Sequence, residues 1–366
     1  MRAVVQGGLG PSAGAAEDRR PGRSRAGSGR LTGVSGEAPG SLSDVPVPGA
    51  AAAPGPGATP DSAASDPGPP ADPPVRTAGS VARGLVRTAR PKQWIKNVLV
   101  FAAPAAGAGL SDGGVVRDAL LTFVAFCLVS SATYVLNDAG DVAADRNHPT
   151  KRHRPIASGA VPVPIALAAV VVLLAAGLGL AYAISWQLGL LLTAYKALTI
   201  AYTFRLKHTA IVDIVVVATG FVVRAVSGGV AVDIELSEWF LAVTCFGSLF
   251  MVAGKRHGEL LQVGEGGGTR KALTQYTVEY LRFVVTMAAS VTVLTYCLWA
   301  FEHPKTSDIP WWGLSIVPFV MGIMRYALLV DQGRGGAPEE LVIRDPGLRL
   351  IGLAWVALFL GSVYIH

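Results

Sequence analysis

Residues 137 to 159 read NDAGDVAADRNHPTKRHRPIASG and directly follow an apolar run, DALLTFVAFCLVSSATYVL. Taken as helical, Asn137, Asp138, Asp141 and Asp145 fall within an arc of about 100°, so one helix face carries three carboxylates and an amide. Carboxylates crowded at a helix C-terminus repel one another and oppose the helix dipole. A bound cation offsets that cost. Hard oxygen donors suit Mg²⁺, which commonly bridges carboxylates and substrate phosphates. The bases that follow, Lys151, Arg152 and Arg154, fit the same chemistry, because a metal-bound diphosphate needs metal on one flank and cationic donors on the other. His148 and His153 match no zinc spacing and read as loop residues. A solvated helix end paired with Arg146, Lys151 and Arg152 is the competing account, but ionisable clusters beside a bilayer are expensive and point to function.

A bilayer is what the bulk of the chain indicates. Of 366 residues, 51% are hydrophobic and only 15% charged, against about 25% charged in a soluble domain; the mean hydropathy is +0.45. The net charge of +6 and pI near 9.3 do not indicate nucleic acid. The bases sit between apolar runs, where membrane topology puts them, and aromatic–basic interleaving is absent. Cys127, Cys245 and Cys297 each lie in an apolar run without CxxC spacing, so they read as packing residues. At about 20 apolar residues per crossing, the sequence predicts nine helical spans. They lie near 94–110, 116–137, 163–184, 187–204, 210–231, 237–254, 280–300, 311–331 and 348–365, the first broken by Pro104.

Charge then predicts the sides. Arg83, Arg87, Arg90, Lys92 and Lys96 precede the first span. Arg146, Lys151, Arg152 and Arg154 follow the second, and Arg205 and Lys207 the fourth. Lys255, Arg256, Arg270 and Lys271 follow the sixth; Arg334, Arg344 and Arg349 follow the eighth. The alternate joints offer only Arg117 and Lys305. The positive-inside rule makes the chain a multi-pass plasma-membrane protein with its N-terminus and acidic motif cytoplasmic and its C-terminus outside. Residues 1–78, rich in Pro, Gly, Ala and Asp, read as a disordered tail without a secretory signal. That tail is either regulatory or the product of an early start codon. Residues 79–366 form the membrane domain.

NDAGDVAADR resembles the NDxxDxxxD signature of the UbiA superfamily of intramembrane transferases. It is matched at Asn137, Asp138, Asp141 and Asp145 after the second span, and RPKQWIKN (90–97) and RPIASG (154–159) agree with it. The resemblance implies an all-α, UbiA-like bundle over about 90–366. Members that use prenyl diphosphates carry a second DxxxD after the sixth helix; here that place reads MVAGKRHGEL. Lys255, Arg256 and Glu259 favour an additional anion over additional metal, as a donor with a separate phosphate would require. GSLFMVAGKRHGEL, YTFRLKHTAIVDIVVVATGFVVRAVSGG and RPKQWIKNVLVFAAP resemble the actinobacterial branch that moves phosphoribose from phosphoribosyl pyrophosphate (PRPP) onto decaprenyl phosphate, for arabinan and arabinogalactan precursors of the cell wall.

That resemblance implies Mg²⁺ as cofactor, bound by Asp138, Asp141 and Asp145, which are also the catalytic acids, with Asn137 orienting the diphosphate. Lys92, Lys151, Arg152 and Arg154 are candidates for the diphosphate, Lys255 and Arg256 for the ribose 5-phosphate. Lys207, Asp213 and Arg224 come next. Arg224 lies mid-span and needs either an acid or the lipid phosphate. Tyr134 and Tyr202 read as packing residues, Trp94, Trp311 and Trp312 as interface markers, and VSGG as a close helix approach. The expected partners are PRPP, decaprenyl or another polyprenyl phosphate, membrane lipids and a further copy of the chain, not nucleic acid. A prenyltransferase using a prenyl diphosphate is the nearest alternative. A secondary transporter is a remoter one, since no repeat of paired halves is evident.

Overall fold

The computed structural model describes residues 77–264, 272–302, 309–336 and 338–365. The tail expected over 1–78 lies outside the described residues up to residue 76, as do Arg270, Lys271 and Lys305. The described residues contain helices and turns but no strand, so the all-α expectation holds.

Twelve α-helices follow in chain order: α1 Ala78–Ala89, α2 Ala102–Ala106, α3 Gly113–Gly140, α4 Val142–Arg146, α5 Val163–Ile184, α6 Trp186–Phe204, α7 Val212–Ala231, α8 Glu238–Val263, α9 Val278–Glu302, α10 Trp311–Leu329, α11 Pro338–Arg344 and α12 Pro346–Tyr364. Their starts are written in the sequence. Asp112 accepts from the Gly114 and Val115 N–H groups, Ser185 from Leu188, Ser237 from Phe240 and Asp345 from Leu348, each satisfying backbone donors that a helix N-terminus leaves open. Arg325 also donates to Asp345 at 2.9 Å. That hydrogen bond holds the Asp345 carboxyl below the usual carboxylate range, so this cap persists through neutral pH and is lost only as acid protonates it.

Among the described residues seven helices, α3, α5, α7, α8, α9, α10 and α12, are long and apolar enough to cross a membrane, fewer than the nine spans expected. The predicted span 94–110 is instead a 3₁₀ segment, Pro91–Phe101, followed by the short α2. It ends at Gly107, and Ala108 is left-handed at φ 56°. The predicted span 187–204 does form a helix, α6, but Gln187 and Lys196 dilute its apolar surface.

Successive long helices alternate in direction, so the ends of α3, α6 and α8 share one side with the starts of α5, α7 and α9. The Ile211 N–H, just before α7, donates to Tyr276 just before α9. At the other end the Trp239 indole donates to Glu302, and the Leu110 N–H to the Tyr364 hydroxyl. Val100, Phe126, Val129, Leu188 and Leu192 form one apolar core, and Phe250, Ala253, Val284, Tyr326 and Leu329 another. The aromatic cluster of Tyr296, Trp299, Trp312 and Phe359 closes the opposite end, so Trp312 packs inside the bundle rather than only marking an interface.

Glycine sets the closest approach. Gly228, in VSGG, lies against the 3₁₀ segment, where a Cβ would run into the Val100 carbonyl oxygen and the Pro104 ring. Gly228→Ala should lower the melting temperature in detergent, at a cost of about 1–3 kcal/mol. Gly179→Ala, where nothing lies within 4 Å of the added carbon, should be neutral or stabilising, as helix propensity favours alanine by up to about 1 kcal/mol. Equal melting temperatures for the two variants would contradict this packing.

Candidate active site

The acidic motif closes α3. Asn137 and Asp138 occupy its last turn, Asp141 is its C-terminal cap residue, and Asp145 lies in α4. The Asp141 N–H still bonds the Asn137 carbonyl at 2.9 Å and the Asp145 N–H the Asp141 carbonyl at 2.8 Å. Helical spacing therefore continues across the break, and the acids keep the shared side that their spacing predicts.

Two arginines from other segments meet these acids. Arg154 Nη1 donates to Asp138 Oδ1 at 3.1 Å and to Asp145 Oδ2 at 2.7 Å. Arg90 Nη2 donates to the same Asp138 oxygen at 2.7 Å. Arg90 closes α1 in a left-handed conformation, φ 54°, and its guanidinium lies 4.9 Å from the centre of the Tyr134 ring, so Tyr134 supports a site cation as well as packing. The segment is fastened nearby, where the Trp94 indole donates to Ser131, which donates to the Ala89 carbonyl. Asp138 and Asp145 are buried, whereas Asp141 is exposed. A cavity of about 270 Å³ opens between Arg87, Arg90, Asp138, Thr150, His153 and Arg154. Lys92, Lys151 and Arg152 are exposed and Asn137 is half-buried, and none of the four lines this cavity. His148 Nδ1 accepts from Thr150 and Lys151 backbone N–H groups, a loop role as expected.

A second cluster joins α6, α7 and α8. Arg256 donates to Asp213 at 2.6 and 3.2 Å, to Glu259 at 2.7 Å and to the Tyr202 hydroxyl at 3.4 Å. Tyr202 in turn donates to Asp213 at 2.6 Å, a role beyond the packing expected of it. Asp213 is presented by a γ-turn, with the Val212 N–H bonded to the Ala210 carbonyl at 2.8 Å and Ile211 at φ 67°. A β-branched residue there is strained, and the Tyr276 hydroxyl accepts its N–H. Arg256 is thus engaged along its whole guanidinium and does not present the open charge that KRHGEL suggests. Lys255, half-buried, lies 4.0 Å from Glu259, and Lys207 is half-buried on the turn before α7.

Arg224 is buried on α7. It donates to Asn97 Oδ1 at 2.8 Å, the Gly220 carbonyl at 2.6 Å and the Tyr195 hydroxyl at 2.7 Å, so no acid neutralises it. Sequence reasoning did not single out Arg90, Asn97, Tyr195 or Lys196; the RPKQWIKN motif contains the first two.

Among the described residues no group of three acidic, histidine or cysteine side chains is assembled as a metal site. The donor chemistry nonetheless fits a hard cation: the Asp138 and Asp145 carboxylates come close enough to share one guanidinium nitrogen, and Asp141 is an exposed carboxylate in the same motif.

The comparisons agree with this architecture. The model of the UbiA prenyltransferase family matches residues 98–344. The chain is 47% identical over 293 residues to the decaprenyl-phosphate phosphoribosyltransferase of Corynebacterium glutamicum, covering 78% of this chain and 88% of that one. It is 44% identical over 305 residues to the protein of that name from Mycolicibacterium smegmatis, covering 79% and 96%. Among solved structures, a UbiA homolog from Archaeoglobus fulgidus bound to GPP and Mg²⁺ has a TM-score of 0.60 at 16% identity, covering 76% of this chain and 99% of that one, a likeness of fold. With the acidic motif and the Asp213–Arg256 pair both inside the matched region, the chain belongs to the UbiA prenyltransferase family, a multi-pass membrane enzyme among its transferases.

Proposed function

We propose that this enzyme transfers 5-phosphoribose from PRPP to a polyprenyl phosphate, decaprenyl phosphate in the first instance, at the cytoplasmic face of the plasma membrane. The observation that carries the reading is a pair of buried carboxylates bridged by an exchangeable arginine. It stands in a chain close to half identical to two relatives named for this activity. The clustering of bases at the acidic end supports the cytoplasmic assignment. The product would be a lipid-linked phosphoribose, a precursor of cell-wall arabinan.

In the reaction the lipid phosphate oxygen forms a bond to the anomeric carbon of PRPP as the bond from that carbon to the diphosphate oxygen breaks. Diphosphate leaves with the electron pair. The nucleophile is already anionic, so no strong general base is needed. What the protein must supply is position and charge. Asp138, Asp141 and Asp145 would hold Mg²⁺, which when bound supplies Lewis-acid neutralisation of the leaving diphosphate. Arg90 and Arg154 face the cavity and are only partly buried, so they can exchange carboxylate for phosphate partners; Asn137, Lys92, Lys151 and Arg152 are the further candidates for the diphosphate. Lys255 is the candidate for the ribose 5-phosphate, while Arg256, bound to Asp213 and Glu259, holds the α7–α8 wall on which Lys255 is carried. The missing second acid pair favours PRPP over the prenyl diphosphate donor of the nearest alternative reading.

Labelled PRPP and decaprenyl phosphate, offered to purified protein in nanodiscs, should yield lipid-soluble label only when Mg²⁺ is present; consumption of a prenyl diphosphate instead would replace the donor. Asp138→Asn and Asp141→Asn should each lower turnover by about a hundredfold or more. Since Asp141 is exposed, its variant should keep wild-type stability within about 0.5 kcal/mol. Wild-type turnover in both would remove the metal assignment.

Lys255→Ala should raise the KM for PRPP about tenfold, the loss of one charge-assisted hydrogen bond, and leave that for the lipid unchanged. A change in the lipid KM alone would show that Lys255 does not serve the 5-phosphate.

A further inference from the structure

Beneath the acidic end the charge balance inverts. Lys196 on α6 is only 5% exposed and Arg224 on α7 only 9%, yet among the described residues neither has a carboxylate within 4 Å. Arg224 spends three donors on neutral acceptors and lies 5.1–5.9 Å from the centres of the Phe126, Tyr195 and Phe221 rings. Among the described residues the Lys196 ammonium makes a single hydrogen bond, Nζ to Thr133 Oγ1 at 2.8 Å. An ammonium carries three donors, so two of them have no protein partner. A buried cation left in this state is costly inside a membrane.

Both cations connect to one polar column on α3, Lys196 directly and Arg224 through Asn97. Thr133 lies one turn, about 6 Å along the axis, from Asn137 towards the interior. Ser130, one turn deeper, accepts from Asn97 at 3.4 Å, and Asn97 accepts from Arg224. Tyr195, which accepts from Arg224, is the chain neighbour of Lys196. From the end inwards the column therefore runs from carboxylates with their arginines to cations without acids.

We propose that Lys196 binds the phosphate of the lipid acceptor, with Arg224 supplying the surrounding positive field; this rests on the transfer reaction proposed above. The donor's diphosphate belongs at the acidic end with Arg90 and Arg154. The nucleophile must approach the anomeric carbon from the face opposite that diphosphate. Lys196 lies deeper, on the membrane side, the side from which a phosphate carried on an apolar chain must come. The leftover ammonium donors match the oxygens such a phosphate presents, and its charge offsets the cations.

The test compares wild type with Lys196→Met and Lys196→Gln in nanodiscs, varying decaprenyl phosphate and PRPP separately and recording the melting-temperature rise each ligand gives. Both variants should raise the KM for decaprenyl phosphate about tenfold or more, leave the PRPP KM within about twofold of wild type, and lose the lipid-induced rise while keeping that induced by PRPP with Mg²⁺. An unchanged lipid KM and lipid-induced rise, or a change confined to PRPP, overturns the assignment. If neither variant folds, Lys196 is structural and the proposal fails. If wild type transfers no phosphoribose, the reaction reading falls by itself, and the lipid-induced rise and its dependence on Lys196 still decide this inference.

Discussion

The Asp138 carboxylate is the constraint on which the acidic end depends. It is buried at the close of a long apolar helix, with Asp145 nearby, and neither could stay ionised there alone without a penalty of several kcal/mol. Two arginines from separate segments relieve it, Arg90 from the end of α1 and Arg154 from the loop before α5. That requirement gathers the local architecture. It draws α1 onto α3, fixes the left-handed turn at Arg90, and folds the loop after α4 back over the acids, where Arg146 donates to the Ala157 carbonyl at 3.0 Å.

The two ion clusters differ in the property that separates a site from a scaffold. Arg90 and Arg154 keep 35% and 29% of their side chains exposed, whereas Arg256 and Asp213 keep 3% and 1%. A cation that must trade a carboxylate for a phosphate needs access to water and room to move. A fully enclosed bidentate pair would leave its partner stranded if it did so. The Asp213–Arg256 pair therefore joins α7 to α8 and stiffens the wall, and the strained turn at Ile211 is tolerated because Tyr276 accepts the Ile211 N–H while Arg256 and Tyr202 hold Asp213.

Much of this was legible in the sequence, and the failures have physical causes. The spacing of Asn137, Asp138, Asp141 and Asp145 predicted a shared face because helical bonding continues through Asp141. Caps and apolar runs located the long helices. The run VLVFAAPAAGAGL looked like a span by composition, but Pro91, Pro104 and Gly107 tighten and end it, and apolar content does not register that. Arg256 read as an open base because its buried acid, Asp213, lies 43 residues away in sequence, a pairing made only by the packing of α7 on α8, and Glu259 three residues on closes the rest of the guanidinium. Arg224 seemed to require an acid or a ligand; a side-chain amide, a phenol and a carbonyl hold it instead, and one sequence gives no sign that residue 97 would reach residue 224.

The arrangement of charge also bears on why such an enzyme needs a membrane interior with cations in it. In the proposed reaction both reactants are anions, and one is confined to the bilayer, so bringing them together in water works against their mutual repulsion. Fixed cations on both sides of the reacting carbon reduce that repulsion without reorganisation during the step, and their effect is greatest where water is excluded. Cations there are tolerable only if something holds them when no anion is present. At the acidic end carboxylates do this for Arg90 and Arg154; within the bundle neutral donors and rings do it for Arg224, and a single threonine for Lys196. Among the described residues no carboxylate holds the cations within the bundle, and so they have more to gain than those at the acidic end from an anion that arrives through lipid.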